Sequence, residues 1–309
     1  MTRSPALLGA GAAALLFLTG CTAPSSSPAS SLTVAAAFYP LEYVAQAVTG
    51  DAAEVIALAS PGVEPHDLEL SPSVVRSLAD ADVVLFIEDF QPAVDAAIES
   101  TGARGFDAAS VITLHAADHD HGDEAHSEEE EDGQEEDHGA LDPHFWLDPL
   151  LLAEYAQALA TELSVIDPQN ADLFAANASA LTQDLTGLND EFQTGLASCE
   201  RDTIVVSHEA FGYLTEATGL TQVGVAGIDP DTEPSPVRLR EIADIIRVTG
   251  STTIFTESAV SATVVEALAQ DVGVTTAVLD PLETIAEGDD YIGVMHRNLD
   301  ALRLALSCE

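Results

Sequence analysis

Three histidines and an aspartate, His66, His144, His208 and Asp280, stand where predicted β-strands end. They are 78, 64 and 72 residues apart. No local motif spans such distances, so the spacing suits convergence from four separate elements on one cleft. Three imidazoles and a carboxylate make a tetrahedral nitrogen/oxygen shell, which fits Zn2+. Ca2+ and Mg2+ prefer cages of oxygen, and Mn2+ would be favoured by a carboxylate in place of one imidazole. Taken singly the residues say little. A lone His near a strand end is ordinarily packed or solvated, and Asp280 before Pro281 could be a turn or a helix cap. The joint pattern carries the expectation.

The elements that must position these side chains alternate along the chain. Strands are predicted at residues 32–38, 53–59 and 82–87, with helices at 41–48, 72–79 and 92–100. Helices follow at 149–163 and 168–196, the second with Leu173, Phe174, Leu181, Leu185, Leu188 and Phe192 spaced by about three or four. Strands at 203–206, 221–225, 252–255 and 275–279 then alternate with helices at 237–248, 262–272 and 291–306. Strands apolar on both faces and separated by helices imply parallel sheets covered on both sides. The expected fold is therefore α/β, two lobes with parallel central sheets joined by one long rigid linker helix. A ligand in such a fold sits near the carboxyl ends of the strands. The expected division is a first lobe at 32–166, a linker helix at 167–198 and a second lobe at 199–309. Phe211 and Tyr213 should line the cleft wall, Ser235 and Pro236 should open a helix, and His296 should lie on the surface.

Two stretches stand outside that pattern. Residues 1–21 read as a signal peptide, with Arg3 before an apolar run from Ala6 to Leu18 that is too short to span a bilayer. Leu18-Thr-Gly-Cys21 resembles a bacterial lipoprotein cleavage box, which makes Cys21 the expected lipidation site and residues 22–31, rich in Ser, Pro and Ala, a tether. The mature protein is then extracytoplasmic and anchored to the membrane by lipid. The second stretch, 115–141, carries His115, His119, His121, His126 and His138 among a dozen carboxylates and almost no apolar residues. It reads as a weak, multivalent zinc collector; a merely solvated loop is the alternative.

Net charge is −44 with no Lys among the nine cations. Nucleic acid is excluded as a partner, because phosphate binding needs clustered cations. Setting Cys21 aside leaves Cys199 and Cys308, an even pair in an oxidising compartment, and they are expected to form a disulfide.

The segments around His66, His144, His208 and Asp280 resemble those of the zinc-uptake solute-binding proteins of bacterial ABC importers. The resemblance runs from about Leu32 to the C-terminus and includes the acidic His-rich insertion before the second His. It implies two lobes bridged by a rigid helix and one transported Zn2+ in the cleft. A long rigid helix should limit hinge opening, so release is expected by local movement of a loop or a slight lobe shift. The resemblance also implies a monomer that delivers to a permease and its ATPase. Manganese-binding relatives carry Glu at the third ligand position, where this chain has His208. The fourth ligand varies in that family between an acidic side chain and water, so Glu64 and Glu257 stand beside Asp280 as candidates. The competing readings are a manganese importer component, a metal-binding surface adhesin and a zinc hydrolase. The hydrolase lacks support: neither an HExxH helix nor a Gly-x-Ser-x-Gly turn occurs.

Overall fold

Short apolar runs rich in Val, Ile and Thr, bounded by Gly, Asp and Pro, become the strands. The computed structural model describes residues 32–116, 141–258 and 262–309. Its first sheet contains β1 (Leu32–Ala36), β2 (Ala53–Ala57), β3 (Val83–Phe86) and β4 (Gly105–Asp107) in the order β2-β1-β3-β4. Its second contains β5 (Thr203–Val206), β6 (Thr221–Gly224), β7 (Thr253–Thr256) and β8 (Thr275–Val278) in the order β6-β5-β7-β8. All the pairings are parallel. The two halves thus share one winding. Each chain path steps to one side of its first strand, then crosses to the other side, which leaves a switch point between β1 and β3 and another between β5 and β7.

Helices α1 (Tyr39–Thr49), α2 (Pro72–Leu78) and α3 (Pro92–Thr101) connect the first strands. Two longer ones, α4 (Pro149–Ile166) and α5 (Ala171–Gly195), stand between the sheets in sequence. The second half adds α6 (Gly212–Thr218), α7 (Pro236–Thr249), α8 (Thr263–Val272) and α9 (Tyr291–Leu306). Several starts combine a capping oxygen with Pro at the first helical position. Ser71 accepts from Val74 N–H ahead of α2, Asp148 from Leu150 N–H ahead of α4, and Ser235 from Arg238 N–H ahead of α7.

In α5, Phe174, Leu181, Leu185, Leu188 and Phe192 are buried. Leu173 differs from the expected stripe and is 42% exposed. The helix also begins at Ala171 rather than Pro168, because Asp167 accepts from Gln169 N–H and the Asn170 amide and holds the chain in a turn. It packs on α1 and α4 and reaches α9 in the second half. Two short elements had no readable signature, β4 and α6.

One apolar cluster runs from β1 and β3 through α4 and α5 to Leu279, Leu282 and Tyr291. A second lies between β5, β7, α7 and α8. Residues from Leu32 to Glu309 form a single compact unit. Cys199 and Cys308 are joined by a disulfide that ties the end of the chain to the approach to β5. Among the described residues, no helix is long and apolar enough to cross a membrane. The signal peptide, the tether with Cys21, and His119, His121, His126 and His138 lie outside the described residues.

Candidate metal centre

Strand ends at the second switch point bring the first pair of polar residues together. Val206 of β5 pairs with Phe255 of β7, so His208, two residues beyond β5, meets Glu257, one residue beyond β7. Glu257 Oε1 lies 2.6 Å from His208 Nδ1, and the Ser207 hydroxyl donates to the same oxygen. Both side chains are buried.

His144 is held by the chain on either side of it. Asp142 Oδ1 accepts the His144 backbone N–H at 2.9 Å and lies 2.7 Å from Nδ1 of the ring. The Tyr213 hydroxyl donates to the Asp142 carbonyl at 2.9 Å. The tight turn Phe145–Leu147 that follows is wholly buried. Its Trp146 donates Nε1–H to the Pro281 carbonyl at 2.7 Å, and Tyr291 O–H donates to the Trp146 carbonyl at 2.7 Å.

His66 sits in the long segment between β2 and α2. Glu64 accepts its backbone N–H at 3.0 Å, Gln91 Nε2 donates to the Pro65 carbonyl at 3.0 Å, and the Phe90 ring meets the imidazole edge-on at 4.7 Å.

The fourth residue is Glu283, beyond β8. It is aimed by a turn built on Asp280, whose carboxylate accepts Leu282 N–H at 2.8 Å and the Ser258 hydroxyl. Asn298 brackets the same residue, accepting Asp280 N–H and donating to its carbonyl. Leu282 takes a left-handed conformation, φ 59°, which is costly for a branched side chain. The residue is fully buried, and the Trp146 contact holds the turn from the other side.

These placements converge on one point. Glu283 Oε1 lies 3.0 Å from His144 Nε2, 3.2 Å from His66 Nε2 and 3.4 Å from His208 Nε2. The Nε2 atoms of His144 and His208 are 3.4 Å apart. All four donor atoms lie within 4.8 Å of one another. Zinc bonds near 2.0–2.1 Å set the edges of a tetrahedron at roughly 3.3–3.4 Å, so several edges already have the required length. His144 and His208 are fully buried, Glu283 is 3% exposed and His66 retains 12% of its side-chain surface. Burial alone would lower the His208 pKa, but hydrogen bonds to Glu257 and Glu283 outweigh it and push the value up to about 10. His144 is raised against its burial by Asp142 and Glu283. Burial would raise Glu283, yet hydrogen bonds to the three imidazoles hold it well below the usual carboxylate range.

His66, His144 and His208 are therefore brought together, and the acidic partner differs from expectation. Asp280 is engaged in its own turn and stands outside the four-donor group, as do Glu257, behind His208, and Glu64, whose oxygen is 3.9 Å from His66 Nε2. The expected position of the acid, at the end of β8, is short by one turn of chain: Asp280 shapes the loop and Glu283 reaches the imidazoles. The spacing Asp-Pro-Leu-Glu was visible, but nothing local separates turn-builder from donor. His115 lies elsewhere, its ring stacked on Tyr213 at 4.5 Å and its Nδ1 3.2 Å from Glu216. Phe211 and Tyr213 are buried, and His296 is on the surface, paired with Glu191 at 2.8 Å.

Comparison with known proteins gives a consistent picture. The family described as zinc-uptake complex component A, periplasmic, matches residues 34–305. The chain is 31% identical over 303 residues to the zinc-binding lipoprotein AdcA of Streptococcus pneumoniae, covering 93% of this chain and 58% of that protein. It is 30% identical over 305 residues to the high-affinity zinc uptake system protein ZnuA of Bacillus subtilis, covering 96% and 95%. It thus spans little more than half the length of AdcA. Among solved structures it is similar to the Zn(II)-bound ZnuA-like domain of Streptococcus pneumoniae AdcA, with TM-score 0.72, 29% identity and coverage of 89% and 98%. It is also similar to the laminin-binding protein Lmb of Streptococcus agalactiae, described as bifunctional with adhesin and metal-transporting activity, with TM-score 0.78, 28% identity and coverage of 89% and 99%.

Proposed function

Because the chain belongs to the periplasmic zinc-uptake component family, a family of transport components rather than enzymes, we propose that it captures Zn2+ outside the cytoplasm and delivers it to an ABC permease. His66, His144, His208 and Glu283 are the proposed ligands. The observation that carries this reading is the convergence of their four donor atoms, from four distant segments, on one buried point.

Three nitrogens and one oxygen, with four of their six separations between 3.0 and 3.4 Å, suit zinc, and their burial leaves little room for the six-coordinate, oxygen-rich shell that Mn2+ favours. Ligands from both halves make the ion a clasp between them. The insertion carrying His115, His119, His121, His126 and His138 is proposed as a weak collector feeding that site. Lipid attachment at Cys21, a monomeric state, a 167–198 linker between lobes 32–166 and 199–309, and partnership with the permease's ATPase complete the proposal.

Metal analysis and chelator competition on the mature protein test it. One tightly held zinc per chain is expected, lost in His208→Ala, and cells lacking the protein should regain growth in chelator-treated medium when zinc is added. A His208→Ala protein that still holds one tight zinc overturns the assignment.

A further inference from the structure

Two carboxylates stand directly behind the cluster without joining it, and they treat the three imidazoles unequally. Asp142 Oδ1 lies 2.7 Å from Nδ1 of His144, and Glu257 Oε1 lies 2.6 Å from Nδ1 of His208. Asp142 is 5% exposed and Glu257 is 7% exposed. Each is itself fastened. Asp142 receives the His144 N–H on its side chain and the Tyr213 hydroxyl on its carbonyl, and donates its own N–H to the His115 carbonyl at 2.9 Å. Glu257 receives the Ser207 hydroxyl at the end of the neighbouring strand. Among the described residues no carboxylate reaches Nδ1 of His66. Its ring is steered instead by the edge contact with Phe90.

A carboxylate at one ring nitrogen keeps the proton there and leaves the other nitrogen with a lone pair. It also fixes the plane of the ring and makes the free nitrogen more basic. Here the free nitrogens are the Nε2 atoms 3.4 Å apart that face Glu283. Glu257 adds a buried oxygen, Oε2, with no hydrogen-bond partner. Such an atom costs free energy, which fits a side chain held for its other oxygen.

Resting on the zinc reading above, we infer that Asp142 and Glu257 are positioning residues that hold His144 and His208 in the tautomer and orientation zinc requires, and that they set the affinity of the site. His66 has no such partner, so the site consists of two locked imidazoles and one held by packing.

The test uses the mature chain, loaded with zinc, as wild type and as Asp142→Asn, Asp142→Ala, Glu257→Gln, Glu257→Ala and His208→Ala. Zinc affinity is read by chelator competition at fixed pH in low and high salt, and imidazole N–H protons by NMR. Each carboxylate substitution should weaken zinc by about 10–100-fold. The loss should persist in high salt, because both carboxylates are buried against the rings and are little screened. Wild type should show two exchange-protected imidazole N–H signals; Asp142→Ala should remove one and Glu257→Ala the other. The amide variants carry the affinity test if an alanine variant fails to fold. Unchanged affinity and both N–H signals retained, with zinc lost in His208→Ala, would overturn the positioning role while leaving the zinc site intact. Tight zinc retained in His208→Ala would instead overturn the site itself.

Discussion

Glu283 and Asp280 lie three residues apart and do different work. Glu283 places one oxygen within 3.4 Å of three imidazole nitrogens, whereas Asp280 spends its carboxylate on Leu282 N–H and Ser258. Glu283→Gln should therefore weaken zinc strongly and also lower apo stability near pH 7, since the amide keeps the shape but loses the buried charge that the imidazoles stabilise. Asp280→Ala should do both: unfolding in urea should show a loss of about 1–3 kcal/mol, chiefly from the Leu282 N–H left unpaired, and zinc should weaken because Glu283 is no longer aimed. Equal zinc affinity in Asp280→Ala and wild type would count against the turn's role. Proton linkage belongs to this scale too. His208 has a folded pKa raised to about 10 in the metal-free protein, above the unfolded value of roughly 6.5. The stability from that proton is fully present below about pH 6.5 and is lost as pH rises through about 10. Urea unfolding of the apo protein should accordingly show lower stability at pH 10 than at pH 7, other titrations apart, and the difference should shrink in Glu257→Gln.

At the scale of elements, register decides what meets. The parallel pairing of Val206 with Phe255 places His208 against Glu257, and a slip of one residue would turn every side chain of β7 to the other face. The long helix α5 serves as a beam. Its apolar stripe covers α1 and α4, and the Asn177 amide donates to the Val48 carbonyl at 3.0 Å, tying the beam to the end of α1. Leu185 is fully buried in that stripe. Leu185→Ala should cost about 2–5 kcal/mol, measured by chemical denaturation, while leaving zinc affinity at saturation of folded protein near wild type. A large affinity loss in the folded variant would mean that α5 shapes the site directly.

Across the whole molecule, the two halves are already joined beside the site. Trp146 reaches Pro281, Tyr43 stacks on Tyr291 at 5.0 Å, and Gly62 N–H donates to Thr284 at 2.6 Å. Zinc held by the proposed ligands would add a further link, and free zinc at 1,000 times its dissociation constant would stabilise by about 4 kcal/mol. Thermal unfolding should shift upward with zinc and return on chelation; no shift would contradict ligation from both halves. The disulfide closes 109 residues, worth up to about 4–5 kcal/mol in the chain-entropy model. Reduction should lower the unfolding midpoint, and two free thiols in the unreduced, denatured chain would contradict the bond. The charge of −44 draws cations towards the surface over about a Debye length, which favours zinc encounter at low ionic strength.

The alternation of apolar strands with helices, the apolar stripe of α5, the Ser-Pro and Asp-Pro helix starts, the Cys199–Cys308 bond and the three imidazoles could all be read along the chain. Each depends on local periodicity, on local capping chemistry or on residue types too few to be ambiguous. The identity of the acidic donor could not be read in this way. Asp280, Glu64, Glu257 and Glu283 are chemically alike and lie near strand ends or turns. Which one faces the nitrogens depends on a left-handed residue at 282, a hydrogen bond from Trp146 and the pairing of β5 with β7. Those contacts join residues up to 135 positions apart, and only the folded chain brings them within reach.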